Sequence, residues 1–406
     1  MKNLKNLTFL LIFSSVFGVS AQDIKESANN FPKTIVLEGK VLQHNYQQII
    51  KNDSEQKEAL QSLLSQADKI LKSKKLYSVM NKKQVPPSGD KHDYMSTGPY
   101  WWPDPTKPDG LPYIRKDGLR NPEYYEIIDS QEMDRVEDDA ETLALAYYFT
   151  KEDKYAQWAS QIIKTWFLNS DTRQNPNLNF GQAIPGMNTG RGIGLIETRG
   201  LFRVIDAAIL IQDSNSWSSE DHLALKKWFS EFLTWMVESP IGKDEADERN
   251  NHGTHYSIQV IAYGIFTNRP EITLAEIETF KNRLESQLKP DGSQPFELAR
   301  TKSWNYANMN LEGYFTAARL AKNSQIDLWN YQSKEGKSIK AALEWLLPYI
   351  QSKKKWEYEQ IQNIGYGETV RILRMASKEY SNPEYDALAK KVDIKSYQIP
   401  INQLTF

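Results

Sequence analysis

The chain of 406 residues contains no cysteine. Disulfides, thiolate metal sites, a cysteine nucleophile and a lipid anchor on cysteine are thereby excluded. Histidine is almost as scarce, with five in all, so a site built on imidazole has few candidates. Charge of one sign is lacking too: 50 Lys and Arg against 52 Asp and Glu leave a formal net charge of −2. No global basic field attracts nucleic acid, and an anionic partner would have to be met by locally placed Arg and Lys. Past Val19 no run is long and apolar enough to span a membrane. Walker loops, His-Glu-x-x-His and Gly-x-Ser-x-Gly are absent. Gly190-x-Gly192-x-Gly194 lacks a preceding strand signal and is discounted as a nucleotide motif.

What is present starts with a secretory pattern. Lys2 and Lys5 precede a mostly apolar stretch from Leu7 to Val19, and Val19-Ser20-Ala21 offers small residues for cleavage. Residues 1–21 are expected to be a signal peptide and residues 22–406 one mature domain, exported to the periplasm. Asp23 to Tyr46 shows no clear period. From Gln47 to Lys74, Ile50, Ala59, Leu63, Ala67 and Ile70 recur at helical spacing.

The segment from Val85 to Tyr125 holds eight prolines among many aromatics, which forbids helix interiors. Such a long irregular stretch in a compact domain is usually functional. A second irregular stretch runs from Asn169 to Gly194. From Asp138 onward the pattern is amphipathic helices in hairpins, among them Asp138 to Phe149 followed by Tyr155 to Phe167. Each hairpin is too small to bury its own face, whereas stacked hairpins bury a continuous core. The expected fold is all-α: an (α/α) toroid or incomplete barrel of helical hairpins, with proline-rich loops as walls of a cleft.

Two constellations stand just before apolar helices. In Arg249-Asn250-Asn251-His252-Gly253-Thr254-His255, Asn251 and His252 lie at a loop-to-helix junction, where backbone N–H groups and the helix dipole favour anions. The plainer alternative is that Asn251 is a helix cap and His252 a packed surface residue. In Arg300-Thr-Lys302-Ser-Trp304-Asn305-Tyr306, a cation, an indole and a phenol precede the helix Ala307 to Ala321. Here the plainer alternative is a core tyrosine and a solvated arginine.

Taken together they fit one reaction. A uronate carries an acidic C5 proton beside its carboxylate. Its removal needs the carboxylate charge quenched by aimed donors such as Asn, His and Arg. Tyrosine could be both base and acid if its pKa, normally about 10, is lowered by nearby Arg and a helix N-terminus. Histidine is the other candidate base. No metal or cofactor is called for.

A third element is His92-Asp93-Tyr94 followed by Tyr100-Trp101-Trp102 among prolines, which reads as a stacking platform for sugar rings or as a plug shaping the cleft. Asp134, Glu137, Asp138, Asp139 and Glu141 read as solvated charge at a helix start. Their alternative use, and that of Glu197, is as carboxylates of a helical-toroid glycoside hydrolase. A non-catalytic glycan-binding protein is the remaining alternative. His44 and His222 read as ordinary surface residues.

These residues resemble the alginate lyase superfamily, which includes polysaccharide lyase families 5 and 38. The matching blocks are His92 to Pro105, Asn179-Phe-Gly-Gln182-Ala-Ile-Pro-Gly186, Asn250-Asn251-His252 and Arg300 to Tyr306, spread from Pro86 to Asn363. The resemblance implies an (α/α) toroid that cuts (1,4)-linked uronic-acid polymers (alginate, or else glucuronan) by metal-independent β-elimination.

It also implies roles. Asn251, His252 and Arg300 would neutralise the uronate carboxylate. Tyr306 would be the acid, and also the base where the C5 proton and O4 share a face, as in mannuronate. His252 would be the base where they lie on opposite faces, a case expected for guluronate or glucuronate. Substrate contacts are expected from His92, Tyr94, Tyr100, Trp101 and Trp102 on the first loop. Gln182, Arg191 and Arg199 supply more on the second, with His255 and Trp304 beside the two blocks. Gly253-Thr254-His255 after Asn-Asn-His looks closer to family 38, which opens glucuronan as a substrate.

Overall fold

The computed structural model describes residues 31–393 and 399–406; the expected signal segment lies outside them. The α-helices, in chain order, are α1 (Gly39–Ile50), α2 (Ser54–Ser73), α3 (Asp129–Thr150), α4 (Asp153–Phe167), α5 (Phe202–Leu210), α6 (Ser219–Glu238), α7 (Pro240–Ala246), α8 (Asn251–Phe266), α9 (Pro270–Gln287), α10 (Pro295–Leu298), α11 (Ser303–Lys322), α12 (Ile339–Ile350), α13 (Gly367–Glu379), α14 (Pro383–Asp393) and α15 (Ile399–Thr405).

Helices α3, α5, α8, α11 and α13 pack on one another in that order. Outside this arc lie α4 against α3, α6 and α9 against α8, α12 against α11, and α14 against α13. Inner helices are buried nearly all round and outer ones along one face. In α8 even Thr254, Ser257 and Gln259 are buried, whereas α6 buries a stripe of Leu225, Phe229, Phe232, Leu233 and Met236 and turns its charges outward. This is the expected (α/α) toroid.

Some bounds differ from expectation. Helix α3 starts nine residues earlier than Asp138, because Met133 and Val136 carry the apolar face through the acidic run. The acidic run is also less solvated than expected. Glu132, Glu137 and Asp139 are buried, and Asp139 accepts the Tyr77 hydroxyl at 2.6 Å. Asp138 and Glu141 pair with Arg203 of α5, tying two inner helices together. Helix α1 begins inside the stretch that showed no period.

The chain before α1 bridges α5 and the C-terminal end of α11. Backbone N–H groups of Ile35, Val36 and Leu37 donate to the Asp206 carboxylate of α5 at 2.6, 3.1 and 2.7 Å. Burial still pushes the Asp206 carboxyl up to about 7, against those three donors. Arg319 of α11 and Asn323, its C-cap, bond the carbonyls of Val36 and Ile35.

The proline-rich segment is irregular with short strands: β1 (Met95–Thr97), β2 (Trp101–Trp102) and β3 (Ile114–Arg115), with β4 (Phe180–Ala183) from the second loop. Strands β2 and β3 are antiparallel, with Trp101 opposite Arg115 and Trp102 opposite Ile114. Strands β1 and β4 are parallel, so the two loops are one unit. A fully buried ion pair anchors that unit. Lys82 Nζ lies 2.9 Å from Asp129 Oδ2 of α3, which also accepts the Met95 N–H at 3.0 Å. Gly190 and Gly194 serve close packing: a Cβ at Gly194 would lie 2.7 Å from the Gly181 backbone, and one at Gly190 2.1 Å from the Asn179 carbonyl oxygen.

Candidate active site

Helix α11 begins at Ser303, so Tyr306 sits in its first turn. Lys302 at the N-cap supplies no side-chain bond. The cap comes from a distant loop instead: Gln360 Oε1 accepts the Trp304 N–H at 3.0 Å, and Gln360 Nε2 donates to Asn305 Oδ1 at 2.7 Å. The Arg300 guanidinium lies 3.9 Å from the centre of the Tyr306 ring. Its Nε and Nη2 donate to Asp117 at 3.1 and 2.8 Å, and Thr301 Oγ1 donates to the same carboxylate. Burial would raise the Asp117 carboxyl, yet bonding and attraction from Arg300 hold it well below the usual range.

The Tyr306 hydroxyl lies 3.0 Å from that of Tyr100. The tyrosine was expected to have a lowered pKa. It is raised instead: burial is the largest cause, Tyr100 adds to it, and Arg300 opposes without prevailing. In the free protein Tyr306 is a phenol with its proton in place.

At the start of α8 the cap is Asn250, not Asn251: Asn250 Oδ1 accepts the His252 N–H at 3.0 Å. His252 Nδ1 lies 2.8 Å from Glu245 Oε1, which fixes the ring and leaves Nε2 for a ligand. Asn251 is fully buried. Its backbone N–H and its Nδ2 both donate to Glu297, at 2.7 and 2.8 Å. Glu297 also feels the charges of Arg300 and His252. The two constellations therefore meet at this carboxylate, between α8 and α11.

His255 is buried one turn beyond His252. Burial first, then Arg199 and His252, push its imidazole down to about 3, so it is neutral. Among the described residues its Nε2 has no hydrogen-bond partner.

Of the loop aromatics, Tyr100 reaches Tyr306. Trp101 has the Arg191 guanidinium 5.7 Å from a ring centre, and Trp102 has Lys116 at 4.9 Å. Arg191 is set by Gln182, a left-handed residue (φ 47°) whose carbonyl and side-chain oxygens accept Nε and Nη2 at 3.0 Å each. Arg199 is exposed, its Nη1 on the Ile196 carbonyl.

Two expected substrate contacts, Tyr94 and Trp304, are corrected. The Tyr94 ring is fully buried, and its hydroxyl donates to Glu197 at 2.7 Å. Trp304 packs against Trp356 and Tyr366 and donates to the Gly365 carbonyl. Both faces of these rings are inaccessible to a sugar. His92 clasps the two loops together, its Nδ1 2.6 Å from the Arg173 carbonyl oxygen. The hydrolase carboxylates fare no better. Asp138 is paired with Arg203, and Glu197 is buried beneath Tyr94 and Ser96.

Sequence reasoning missed Asp117, Glu245 and Glu297, which hold Arg300, His252 and Asn251. Glu297 lies three residues before Arg300, just inside the end of α10, and that nearness in sequence was a usable signal. Among the described residues no group of three or more His, Asp or Glu is placed to hold a metal ion.

The family model described as alginate lyase matches residues 78–356. The chain belongs to the alginate lyase family. An alginate lyase from Bacteroides ovatus, seen in a crystal structure, is 37% identical, with a TM-score of 0.86 over 92% of this chain and 99% of that one. Alginate lyase A1-III from Sphingomonas species A1 is 17% identical, with a TM-score of 0.52 over 78% of this chain and 86% of that one. A variant of A1-III complexed with a tetrasaccharide is 15% identical, with a TM-score of 0.56 over 88% and 92%. These two share the fold. No curated protein matches the chain significantly. Family membership makes this alginate lyase homologue a polysaccharide lyase enzyme.

Proposed function

We propose that the protein cleaves (1,4)-linked uronans, alginate first among them, by β-elimination. A base removes the C5 proton, the C4–O4 bond breaks, a C4–C5 double bond forms, and O4 leaves with a proton from Tyr306. The observation that carries this reading is the Tyr306 phenol, protonated in the free protein, 3.9 Å under Arg300 and 3.0 Å from Tyr100. A group held in its acid form suits the leaving oxygen.

His252, with Nδ1 on Glu245 and Nε2 left over, suits the base where the C5 proton and O4 lie on opposite faces, as in guluronate. In mannuronate the two share a face, and so they do, contrary to expectation, in glucuronate, which has the same configuration at C4 and C5. There Tyr306 would first have to lose its proton, which burial opposes. Arg300 and the α8 N-terminus supply positive potential for the carboxylate. Neutral His255, Arg191 and Trp101 flank the path of the chain.

The test is an ultraviolet assay for the unsaturated product on polymannuronate, polyguluronate and glucuronan in parallel. Product from polyguluronate at the highest rate is expected; none from any of the three refutes the reading. We also read residues 1–21 as an export signal. A periplasmic protein whose N-terminus, by mass spectrometry, lies near Gln22 is the expected result.

A further inference from the structure

Glu297 stands where the two constellations meet, and the chemistry above leaves it idle. It is 1% exposed, and Asn251 beside it is 0% exposed. No cation is within ion-pair distance of Glu297 among the described residues, because the bidentate edge of Arg300 is turned to Asp117. Both Glu297 oxygens accept from Asn251, one from its backbone N–H and one from Nδ2. This leaves Asn251 Oδ1 buried without a partner. An orphaned buried acceptor is unfavourable. It also has the wrong polarity for its expected task, since a residue meant to quench a carboxylate should offer a donor.

One proton reverses this. As a carboxylic acid, Glu297 keeps the Asn251 backbone N–H on Oε1 and donates through Oε2–H. Its acceptor is Asn251 Oδ1, once the amide turns over. Nδ2 then occupies the place of Oδ1, on the side away from Glu297, and the group left unpartnered is a donor, which a bound carboxylate would satisfy.

We propose that Glu297 takes up one proton from solvent when a uronate carboxylate binds, and that the resulting acid turns the Asn251 amide over to present Nδ2 to that carboxylate. The inference rests on the lyase reading. Glu297 is thus a positioning residue that acts through Asn251. The titratable groups facing it are Arg300 on the next turn, His252 from α8 and Tyr314 from α11. Burial raises its carboxyl, and the attraction of Arg300 and His252 does not cancel that. Tyr314 is fully buried and stays a neutral phenol.

The experiment is calorimetric titration of the Tyr306→Phe variant with a guluronate tetramer, in two buffers of different ionisation enthalpy. Uptake of about one proton per ligand is expected above the titration range of Glu297, falling towards zero below it. To separate Glu297 from any other group that takes up a proton with the anion, Glu297→Gln is added. Glutamine has the shape and donor of the protonated acid, so uptake should vanish while affinity stays within about threefold. Undiminished uptake, or affinity more than tenfold weaker in a variant that melts like its parent, overturns the proposal. Should that variant not fold, the pH course of uptake in the Tyr306→Phe parent decides, and a flat course overturns it. Failure of the unmodified enzyme to make unsaturated product would sink the lyase reading; product formation with no linked proton would sink only this inference.

Discussion

The hydroxyl of Tyr100 lies 3.0 Å from that of Tyr306, joining the proline-rich loop to the first turn of α11. The loop thereby tunes the group expected to deliver a proton. Replacing Tyr306 by Phe removes that proton, and kcat should fall about 10²- to 10⁴-fold. KM should change little, as measured by ultraviolet assay. Tyr100→Phe should be milder. Tyr100 raises the Tyr306 pKa, and Tyr306 must be protonated to act as an acid. Without Tyr100, the alkaline limb of the kcat profile should move to lower pH. A limb that stays put would show that Tyr306 is not the acid.

Asp117 holds both Nε and Nη2 of Arg300. Asp117→Ala should free the guanidinium and misplace it by an ångström or more, costing about 10- to 100-fold in kcat/KM. The pair is partly exposed, so thermal stability should hardly change. A large drop in melting temperature with intact activity would assign Asp117 a purely structural role.

Two tryptophans separate contact from core. Trp304 is 1% exposed beneath Trp356 and Tyr366, so Trp304→Ala should cost about 3–5 kcal/mol in chemical denaturation. Trp101 is half-buried beside Arg191. Trp101→Ala should leave stability nearly intact and raise KM. The opposite pattern would place the cleft elsewhere.

Glu197 yields a pH prediction. Burial pushes its carboxyl up to about 7, against hydrogen bonds from Ser96 and Tyr94. The folded pKa exceeds the unfolded one, so between roughly pH 4.5 and 7 the folded state binds more protons. Stability attributable to this group is therefore greatest below that window and is lost as pH rises through it. The loss is on the order of 3 kcal/mol. In Glu197→Gln, unfolding by urea should lose that part of its slope. An unchanged slope would show that Glu197 does not titrate there.

The toroid was legible because hairpins such as α13 and α14 repeat an amphipathic period that only stacking can satisfy. The Asn251-His252 and Arg300-Tyr306 blocks were legible because scarce residue types stand together before apolar helices. What could not be read was set by tertiary contact. Tyr94 and Trp101 look alike in a proline-rich loop, yet only the folded packing buries the first and half-buries the second. The direction of the Tyr306 shift turned on burial, which local sequence does not carry. Asp117 lies 183 residues from Arg300, so no spacing rule links them. The inward turn of Glu245 was hidden in a run of charges that folds as the short helix α7.

Helix α11 borrows a hydrogen-bond partner for its first turn from Gln360, and the neighbouring Ser303 hydroxyl bonds the Glu359 carbonyl at 2.6 Å. The pitch and seating of Tyr306 thus depend on a stretch more than fifty residues downstream, outside the span that the family model matches. Relatives that keep the side chains of this site but rebuild that stretch would seat the phenol differently, so shared side chains do not by themselves carry over a shared geometry.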